Sequence, residues 1–408
     1  MHDWVARDAA VVWHGFTQMA TYADNAPIVV ERAEGRELID VEGRRYLDAV
    51  SSLWVTTLGH RVPELDAAVV EQLGRVAHST MLGNGNRVVV ELAEALVARV
   101  PVDGGHVLFA SDGASALEQA LKIAFQHWAN LGVPGRTAYL ALGGAYHGDT
   151  VGALSLGGGG FGTDLFDPLR FPVLRTPGYE DRAWADAAVA AIREHAPSLA
   201  AVVIEPLVQA AAGMQVAAPD DVQRVVHAAQ ASGVLVICDE VATGFGRTGT
   251  LFASEQCGIR PDLLCLGKGM TGGYLPMSAT VASRAVFESF LGDDLGPRTL
   301  YHGHSYGGNA LAAAVALRHL HLLDEWDVLA NVRARSAQLA ALLADRSPRV
   351  CGLLAGFDVL SGKEARRVCA EAVRRGVFLR PIGGTILVVP PLTVTAAEVE
   401  RIVEAVAH

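Results

Sequence analysis

The sequence is short of positive charge. It contains 33 Lys and Arg residues against 44 Asp and Glu residues, which gives a formal net charge of −11 at pH 7. An acidic chain of this kind does not present the basic surface that nucleic acids or anionic membranes require. The composition therefore predicts small molecules as partners, and neither nucleic acid nor membrane.

Cysteines and long apolar runs are also scarce. The five cysteines are odd in number and scattered, so they predict neither a disulfide framework nor a metal site. The uncharged stretches 206–219 and 381–397 are interrupted by Gly or Pro and do not suggest a membrane span. The first four residues lack the basic and apolar regions of a signal peptide. These features predict a soluble cytoplasmic protein in a reducing environment.

Lysine is the scarcest basic residue, because only Lys122, Lys268 and Lys363 occur in the chain. Lys268 follows the apolar run 263–266 and lies between two glycines. Arg cannot replace a lysine that condenses, as a neutral amine, with an aldehyde to form a Schiff base. A lysine at the end of a strand is often simply solvated, so the functional interpretation depends on its neighbours.

A carboxylate lies 29 residues upstream of this lysine. The apolar run 234–238 ends in Asp239 and Glu240. If both runs are strands of a parallel sheet, their carboxyl ends meet at the ligand crevice. A carboxylate that keeps a pyridine nitrogen protonated, opposite a lysine that carries an aldehyde, defines a pyridoxal phosphate site. Asp239 and Lys268 are therefore predicted to be catalytic.

Strand-like and helix-like segments alternate between about residues 60 and 290, which predicts an α/β fold with a parallel or mixed sheet covered on both faces by helices. The predicted strands of this region are 107–110, 137–142, 200–204, 234–238, 262–266 and 277–282. After residue 300 a smaller α+β part is predicted, with strands near 350–359, 376–380 and 385–389. We expect three regions: an N-terminal segment (1–55) that packs with the small domain, a large cofactor-binding domain (56–300) and a C-terminal small domain (301–408).

A candidate phosphate cradle follows the strand 107–110. Residues 111–115, which include Asp112 and Gly113, form a tight turn that leads into a helix from Ala116 onward. A helix N-terminus offers backbone N–H groups to a phosphate, although many turns of this kind bind nothing. Asp112 is an unfavourable charge there, so we expect it to cap the helix or to face away.

Other candidates lie at the ends of the remaining strands. Tyr146 can stack on a flat ring, and His147 is either an acid–base residue or a structural histidine of the turn. Glu205 closes the apolar run 201–204 and is predicted to orient the site. Ser305, in the polar segment 301–309, is the predicted phosphate donor, although that segment could equally cap the following helix.

In order along the chain, these motifs resemble those of the class III aminotransferases. The matching motifs are Ser-Asp-Gly-Ala-Ser-Ala-Leu-Glu (111–118), Ala-Tyr-His-Gly-Asp-Thr (145–150), Ile-Glu-Pro (204–206), Asp-Glu-Val-Ala-Thr-Gly-Phe-Gly-Arg-Thr-Gly (239–249) and Leu-Gly-Lys (266–268). The resemblance covers essentially the whole chain. It implies the α/β fold type I architecture of pyridoxal phosphate-dependent transferases, in which a large domain with a mixed, mostly parallel sheet is joined to a smaller α+β domain. It also implies a homodimer with active sites between subunits.

The resemblance also implies roles for individual residues. The catalytic set would be Lys268 as the Schiff-base lysine, Asp239 as the partner of the pyridine nitrogen and Tyr146 as a ring-stacking residue. The other cofactor-binding residues would be Gly113, Ala114, His147, Glu205, Val241 and Ser305, the last from the partner subunit. The substrate would be bound by Trp54, Arg247, Gly303 and Arg380, with Arg380 holding a distant carboxylate.

Within the family, the segments 13–19, 51–54 and 379–381 resemble the subgroup of biotin synthesis. That subgroup aminates the 7-keto group of 8-amino-7-oxononanoate, with adenosylmethionine or lysine as amino donor. Gly15, Phe16 and Leu53 depart from the common pattern of Pro, Tyr and Trp, so the donor stays open.

Other functions remain as alternatives. Within the family, these are an ω-amino-acid or diamine transaminase and an aminomutase. A ligand sensor without catalysis would usually carry a DNA-binding appendage, which this acidic chain does not suggest. A nicotinamide dehydrogenase is disfavoured because no G-x-G-x-x-G motif follows a strand with the expected acidic partner.

Overall fold

A computed structural model describes residues 3–25, 27–158 and 163–407. Its centre is a seven-stranded sheet in which one strand is antiparallel to its two neighbours and the other pairs are parallel. In spatial order the strands are His106–Ala110, Ser278–Ala282, Leu263–Leu266, Leu235–Asp239, Leu199–Ile204, Ala138–Leu142 and Leu174–Thr176. The predicted mixed, mostly parallel α/β sheet is confirmed.

The central strands are buried because helices cover both faces of the sheet. Leu199–Ile204, Leu235–Asp239 and Leu263–Leu266 are buried along their whole length, as expected for near-continuous apolar runs in a parallel sheet. The longer helices before residue 300 are Pro63–Leu73, Arg87–Val97, Gly113–Asn130, Trp184–His195 and Pro219–Ala231. Shorter ones are Trp4–Val11, Ser51–Trp54, Val151–Leu156, Ala253–Gln256 and Arg284–Glu288.

The strand register brings the predicted site residues to one edge. Asp239 pairs with Cys265 across two parallel strands, so Lys268 follows only three residues beyond that level. Glu205 directly follows the neighbouring strand Leu199–Ile204, which is also parallel. The carboxyl ends of three adjacent strands therefore carry Asp239, Lys268 and Glu205.

The N-terminal meander joins the C-terminal part through a second sheet. Its strands Val30–Glu34, Glu37–Asp40 and Arg45–Asp48 are extended by Val377–Phe378, which pairs in parallel with the last of them. This pairing supports the predicted packing of the N-terminal segment against the small domain. The division of the chain into domains remains a proposal.

The C-terminal part has a third sheet and four helices. The helices are Ala310–Glu325, Val328–Leu342, Gly362–Arg374 and Ala396–Ala405, and the sheet strands are Arg349–Cys351, Leu354–Asp358, Thr385–Val388 and Pro381–Ile382 in spatial order. A short two-stranded ribbon pairs Val208–Gln209 with Gln215–Val216.

The single strand predicted at 350–359 is instead a hairpin. Gly352 has a φ of +60°, and a Cβ atom there would lie 2.2 Å from the carbonyl oxygen of Arg247. The chain therefore reverses at a position that only glycine fits. No helix within the described ranges combines the length and apolar character needed to cross a membrane.

Candidate active site

A cavity of about 600 Å³ opens at the carboxyl edge of the central sheet. Nine of the predicted site residues line it: Trp54, Gly113, Ala114, Tyr146, His147, Glu205, Asp239, Val241 and Lys268. They come from segments that are far apart in sequence and that converge because their strands are neighbours. A cavity of this size is typical of a small-molecule site.

Lys268 lies in a strained turn at this cavity. Its φ is +40°, in the left-handed region, and it starts the short 3-10 helix Lys268–Thr271. Its Nζ atom is 5.3 Å from the centre of the Trp54 ring. Burial lowers the pKa of Lys268, although the negative charges of Asp239 and Glu205 oppose that shift. The site therefore favours the neutral amine that a nucleophilic lysine needs.

Asp239 is held in place by two hydrogen bonds. Its Oδ2 lies 2.7 Å from Nδ1 of His147, and its Oδ1 accepts the N–H of Val241 at 3.0 Å. Burial opposes protonation of His147, but the hydrogen bond and charge of Asp239 raise the pKa of this imidazole overall. The result is a buried, charge-assisted pair that fixes the orientation of the carboxylate.

Glu205 lies beside this pair and supports Tyr146. Its Oε2 accepts the backbone N–H of Tyr146 at 3.2 Å. Burial raises the pKa of Glu205 to about 8, with the charge of Asp239 adding to the increase and that of His147 opposing it. Asp149 was not among the residues predicted for the site, and its Oδ2 accepts a hydrogen bond from the phenol O–H of Tyr146 at 2.9 Å. The signal in the sequence that could have identified Asp149 is its position three residues after Tyr146.

Val241 packs between the two glycine-containing turns of the site. A Cβ atom at Gly113 would lie 2.6 Å from Val241 Cγ1, and one at Gly267 would lie 3.3 Å from the same atom. Substitution at Gly113 would therefore displace Val241. The predicted phosphate cradle and the lysine turn are thus tied together through one side chain.

Asp112 caps the helix Gly113–Asn130, which is one of the two orientations expected from the sequence. Its two carboxylate oxygens accept the backbone N–H and the hydroxyl of Ser115, each at 2.9 Å. The N–H groups of Gly113 and Ala114 precede the first intrahelical bond and remain available to an anion. The helix terminus can therefore receive a phosphate.

The wall that carries Trp54 has an unusual backbone. Ser51, Ser52 and Trp54 have φ values of +52°, +61° and +65°. Asp48 stabilises this segment, because its Oδ2 accepts the N–H of Ser52 at 2.8 Å. Such strain persists only where surrounding contacts impose it. Trp54 is buried, whereas Leu53 is 60% exposed at the cavity.

Four predicted site residues do not line the cavity as formed by the described part of one chain. Arg247 is buried and donates to the carbonyl oxygens of Pro390, at 2.5 Å, and Thr56, at 3.4 Å. Burial lowers its pKa to about 9, with Asp48 opposing that decrease. Ser305, Gly303 and Arg380 are exposed. The structure thus connects Arg247 to the Trp54 segment through Thr56.

The chain belongs to the class-III aminotransferases, since the model of that family matches residues 18–408. Its relatives include adenosylmethionine-8-amino-7-oxononanoate aminotransferases. The enzyme of Nitratidesulfovibrio vulgaris is 43% identical, over 98% of this chain and 80% of its own. That of Aquifex aeolicus is 37% identical, over 97% of this chain and 94% of its own.

Solved structures agree with this family. The enzyme of the same name from Methanocaldococcus jannaschii superposes with a TM-score of 0.94 at 34% identity, covering 98% of both chains. An amine transaminase from an uncultivated Pseudomonas species, described in its PLP-bound form, gives a TM-score of 0.90 at 32% identity, covering 97% of both. The chain is therefore an aminotransferase, and its substrates are a small-molecule amino donor and a keto acceptor.

Glu205 provides a pH-dependent prediction. Its pKa is raised from 4.5 to about 8 in the folded protein, so its contribution to stability is complete below pH 4.5 and is lost as the pH rises toward 8. In the wild-type protein the free energy of unfolding should therefore fall as the pH rises through this range. We expect Glu205→Gln to reduce the slope of that fall by up to about 1.4 kcal/mol per pH unit. Urea titrations of the cofactor-free protein at several pH values would measure the slope. The exposed Glu31→Gln is the control, and an unchanged slope in Glu205→Gln would contradict the prediction.

Proposed function

We propose that this aminotransferase uses pyridoxal phosphate to convert 8-amino-7-oxononanoate to 7,8-diaminononanoate in biotin synthesis. The observation that carries the proposal is the placement of Lys268 and Asp239 at one cavity, in a chain whose relatives bear that activity in their names over nearly their full length. The proposed amino donor is adenosylmethionine or lysine.

The residues at the cavity fit pyridoxal phosphate. The open N–H groups of Gly113 and Ala114 would hold its phosphate, and Asp239 would pair with its ring nitrogen. Tyr146 and Val241 would contact the two faces of the ring, with His147 and Glu205 orienting the surrounding groups. Lys268 would bind the aldehyde carbon. When bound, pyridoxal phosphate supplies an electron sink that accepts the electron pair of a breaking C–H bond.

Proton transfer is the proposed task of Lys268. A neutral Nζ atom at the cavity can accept the proton from the α-carbon of the donor. In the second half-reaction the same atom can deliver a proton to C7 of the acceptor, where the amine is installed. The lowered pKa of Lys268 makes this exchange easier near neutral pH.

Asp239 and His147 act through charge. The carboxylate of Asp239 is buried, and its hydrogen bond of 2.7 Å to the imidazole of His147 fixes its orientation. A fixed negative charge in a site that excludes water stabilises a neighbouring positive charge without reorganisation during the reaction. Trp54 lines the cavity with its ring centre 5.3 Å from Nζ of Lys268, where it would limit access of water to the amine.

We also propose a homodimer that completes the site. Ser305 and Gly303 lie in an exposed segment, next to the exposed aromatic residues Tyr301 and Tyr306. An exposed serine between aromatic residues is suited to an intersubunit contact, where Tyr is enriched. Ser305 of the partner subunit would then donate to the phosphate. A cytoplasmic location is proposed as well, since all five cysteines are free thiols.

Arg380 provides a prediction about the acceptor. Its guanidinium is exposed and makes no ion pair within the described ranges, so it is available to a carboxylate in bidentate geometry. We expect Arg380→Gln to raise KM for 8-amino-7-oxononanoate by about 10- to 100-fold, the loss typical of a charged hydrogen bond. The donor half-reaction should keep its rate. Equal loss in both half-reactions would contradict this role; Arg366→Gln, another exposed arginine, is the control.

The function itself is tested by supplying substrates to the cofactor-loaded protein. Formation of 7,8-diaminononanoate from 8-amino-7-oxononanoate, with adenosylmethionine or lysine as donor, would support the proposal and identify the donor. The alternative is an amine transaminase, favoured by structural neighbours described as omega transaminases, one with a TM-score of 0.93 at 27% identity. Turnover of ω-amino acids or diamines without product from 8-amino-7-oxononanoate would establish that alternative.

A further inference from the structure

A buried histidine outside the cavity lies where three segments of the active site meet. His319 belongs to the helix Ala310–Glu325 and is completely buried. Its Nε2 atom is 2.6 Å from Oγ1 of Thr57, a residue 262 positions earlier in the chain. Thr57 follows the segment that carries Trp54. The helix and the cavity wall are therefore joined by one short hydrogen bond.

The lysine turn packs directly on this pair. A Cβ atom at Gly272 would lie 3.3 Å from Cδ2 of His319 and 3.4 Å from Oγ1 of Thr57, and one at Gly269 would lie 3.1 Å from Cγ2 of Thr57. The two glycines thus lie so close to this pair that any side chain on them would contact Thr57 or His319. A shift of the pair would press on the turn that carries Lys268.

The segment that follows Asp239 reaches the same point through Phe245. Its ring centre is 6.2 Å from that of His319. Phe245 Cβ also lies 3.3 Å from the position that a Cβ atom at Gly269 would take. His319 is therefore packed among the segments that supply Lys268, Trp54 and Asp239.

The chemistry of this position suits a neutral imidazole. Burial lowers the pKa of His319 to about 4, although a backbone contact with Met270 opposes that decrease. A neutral imidazole has one donor and one acceptor and can satisfy the hydroxyl of Thr57, which is only 1% exposed. An aliphatic residue would fill the space but leave that hydroxyl without this partner, which is costly in a buried site.

We propose that His319 is a positioning residue, whose hydrogen bond to Thr57 fixes the Lys268 turn relative to the Trp54 wall. The inference rests on the proposed function only for its activity measurement. His319 does not line the cavity, so its influence would pass through the turn and the wall. Small displacements of a reacting group are enough to reduce rates strongly.

The test compares His319→Leu, Thr57→Val and His319→Gln. Removing the bond from either side should lower kcat/KM by about 10- to 100-fold, through kcat more than KM. It should also shift the pH midpoint of the absorbance of lysine-bound pyridoxal phosphate by at least about half a unit, because the surroundings of Lys268 change. In His319→Gln the amide can replace the lost hydrogen bond, so kcat/KM and the absorbance midpoint should both stay close to their wild-type values.

His127, in the last turn of the helix Gly113–Asn130, is a matched control because it is another buried histidine that contacts a hydroxyl group. His127 is also buried, and its Nδ1 lies 2.9 Å from the hydroxyl of Ser289. His127→Leu should lower thermal stability without moving the absorbance midpoint. If His319→Leu behaves in the same way, the positioning role is overturned. Should that variant not fold, an unmoved midpoint in Thr57→Val overturns it equally.

The two proposals can fail separately. If the wild-type protein binds pyridoxal phosphate but does not aminate 8-amino-7-oxononanoate, the proposed substrate is wrong. The absorbance titration still measures the effect of His319 on Lys268 in that case. A normal midpoint in His319→Leu, with active wild-type enzyme, rejects only the positioning role.

Discussion

Lys268→Ala is expected to lower kcat by at least about 10,000-fold, because the substitution removes the amine that is proposed both to bind the aldehyde and to transfer protons. Reversible binding of pyridoxal phosphate should persist. The proposed phosphate cradle at Gly113 and Ala114 and the carboxylate of Asp239 are separate from this side chain. The variant is also expected to fold, since alanine relieves burial of an amine whose pKa is lowered by desolvation.

The scarcity of lysine makes this measurement clear. After reduction of the loaded protein with borohydride, mass spectrometry of peptides should locate the cofactor on Lys268 and on neither Lys122 nor Lys363. Lys363→Ala, at an exposed position, is the control and should be fully active and labelled. Substantial transamination by Lys268→Ala, or labelling of another lysine, would refute the assignment.

The sequence was sufficient to predict six of the seven strands of the central sheet, all except Leu174–Thr176, and the edge at which the site lies. Apolar runs that end in Asp239, Glu205 and Lys268 predict strands, and parallel strands place their carboxyl ends together. The outcome agrees, because Asp239 pairs with Cys265 in register. Local pattern therefore determined both the elements and the side of the sheet on which chemistry would be expected.

The contacts between distant segments could not be predicted in the same way. His147 and Asp239 are 92 positions apart and meet at 2.7 Å, and the sequence left His147 open between a catalytic and a structural role. His319 gave no signal, because a histidine in an apolar helix has no distinguishing pattern. Which side chains meet across the core depends on strand order and helix packing, and neither is encoded in local periodicity.

Glycines account for further differences between expectation and structure. The sequence predicted one strand at 350–359, but Gly352 turns the chain into a hairpin against the carbonyl oxygen of Arg247.

Arg247, which was predicted to bind substrate, is buried behind the Trp54 segment, with backbone oxygens as hydrogen-bond partners. Its effect on the substrate would therefore pass through Thr56 and the Trp54 segment.

Asp239→Asn is the second substitution with a large expected effect. The amide keeps the size of the side chain but removes its negative charge, which the proposed function needs opposite the ring nitrogen. It also removes the charge that raises the pKa of His147. We expect kcat to fall by about 100- to 1,000-fold, the loss seen when one preorganised electrostatic group is removed from an active site. Rates of the donor half-reaction would measure this loss.

The matched control for Asp239→Asn is Asp262→Asn, in the segment just before the neighbouring strand. Asp262 Oδ2 accepts the N–H of Val236 at 2.8 Å, and burial raises the pKa of this carboxyl. Its replacement removes a partly buried charge at the opposite end of the strands, so it should affect stability rather than turnover.

In Asp239→Asn, a neutral asparagine facing His147 should let that imidazole lose its proton at lower pH, because the carboxylate no longer supports its charge. The pH profile of the remaining activity should change in Asp239→Asn alone. Activity within about threefold of wild type would show that the carboxylate does not stabilise the reacting group, since electrostatic groups in active sites contribute far more than that.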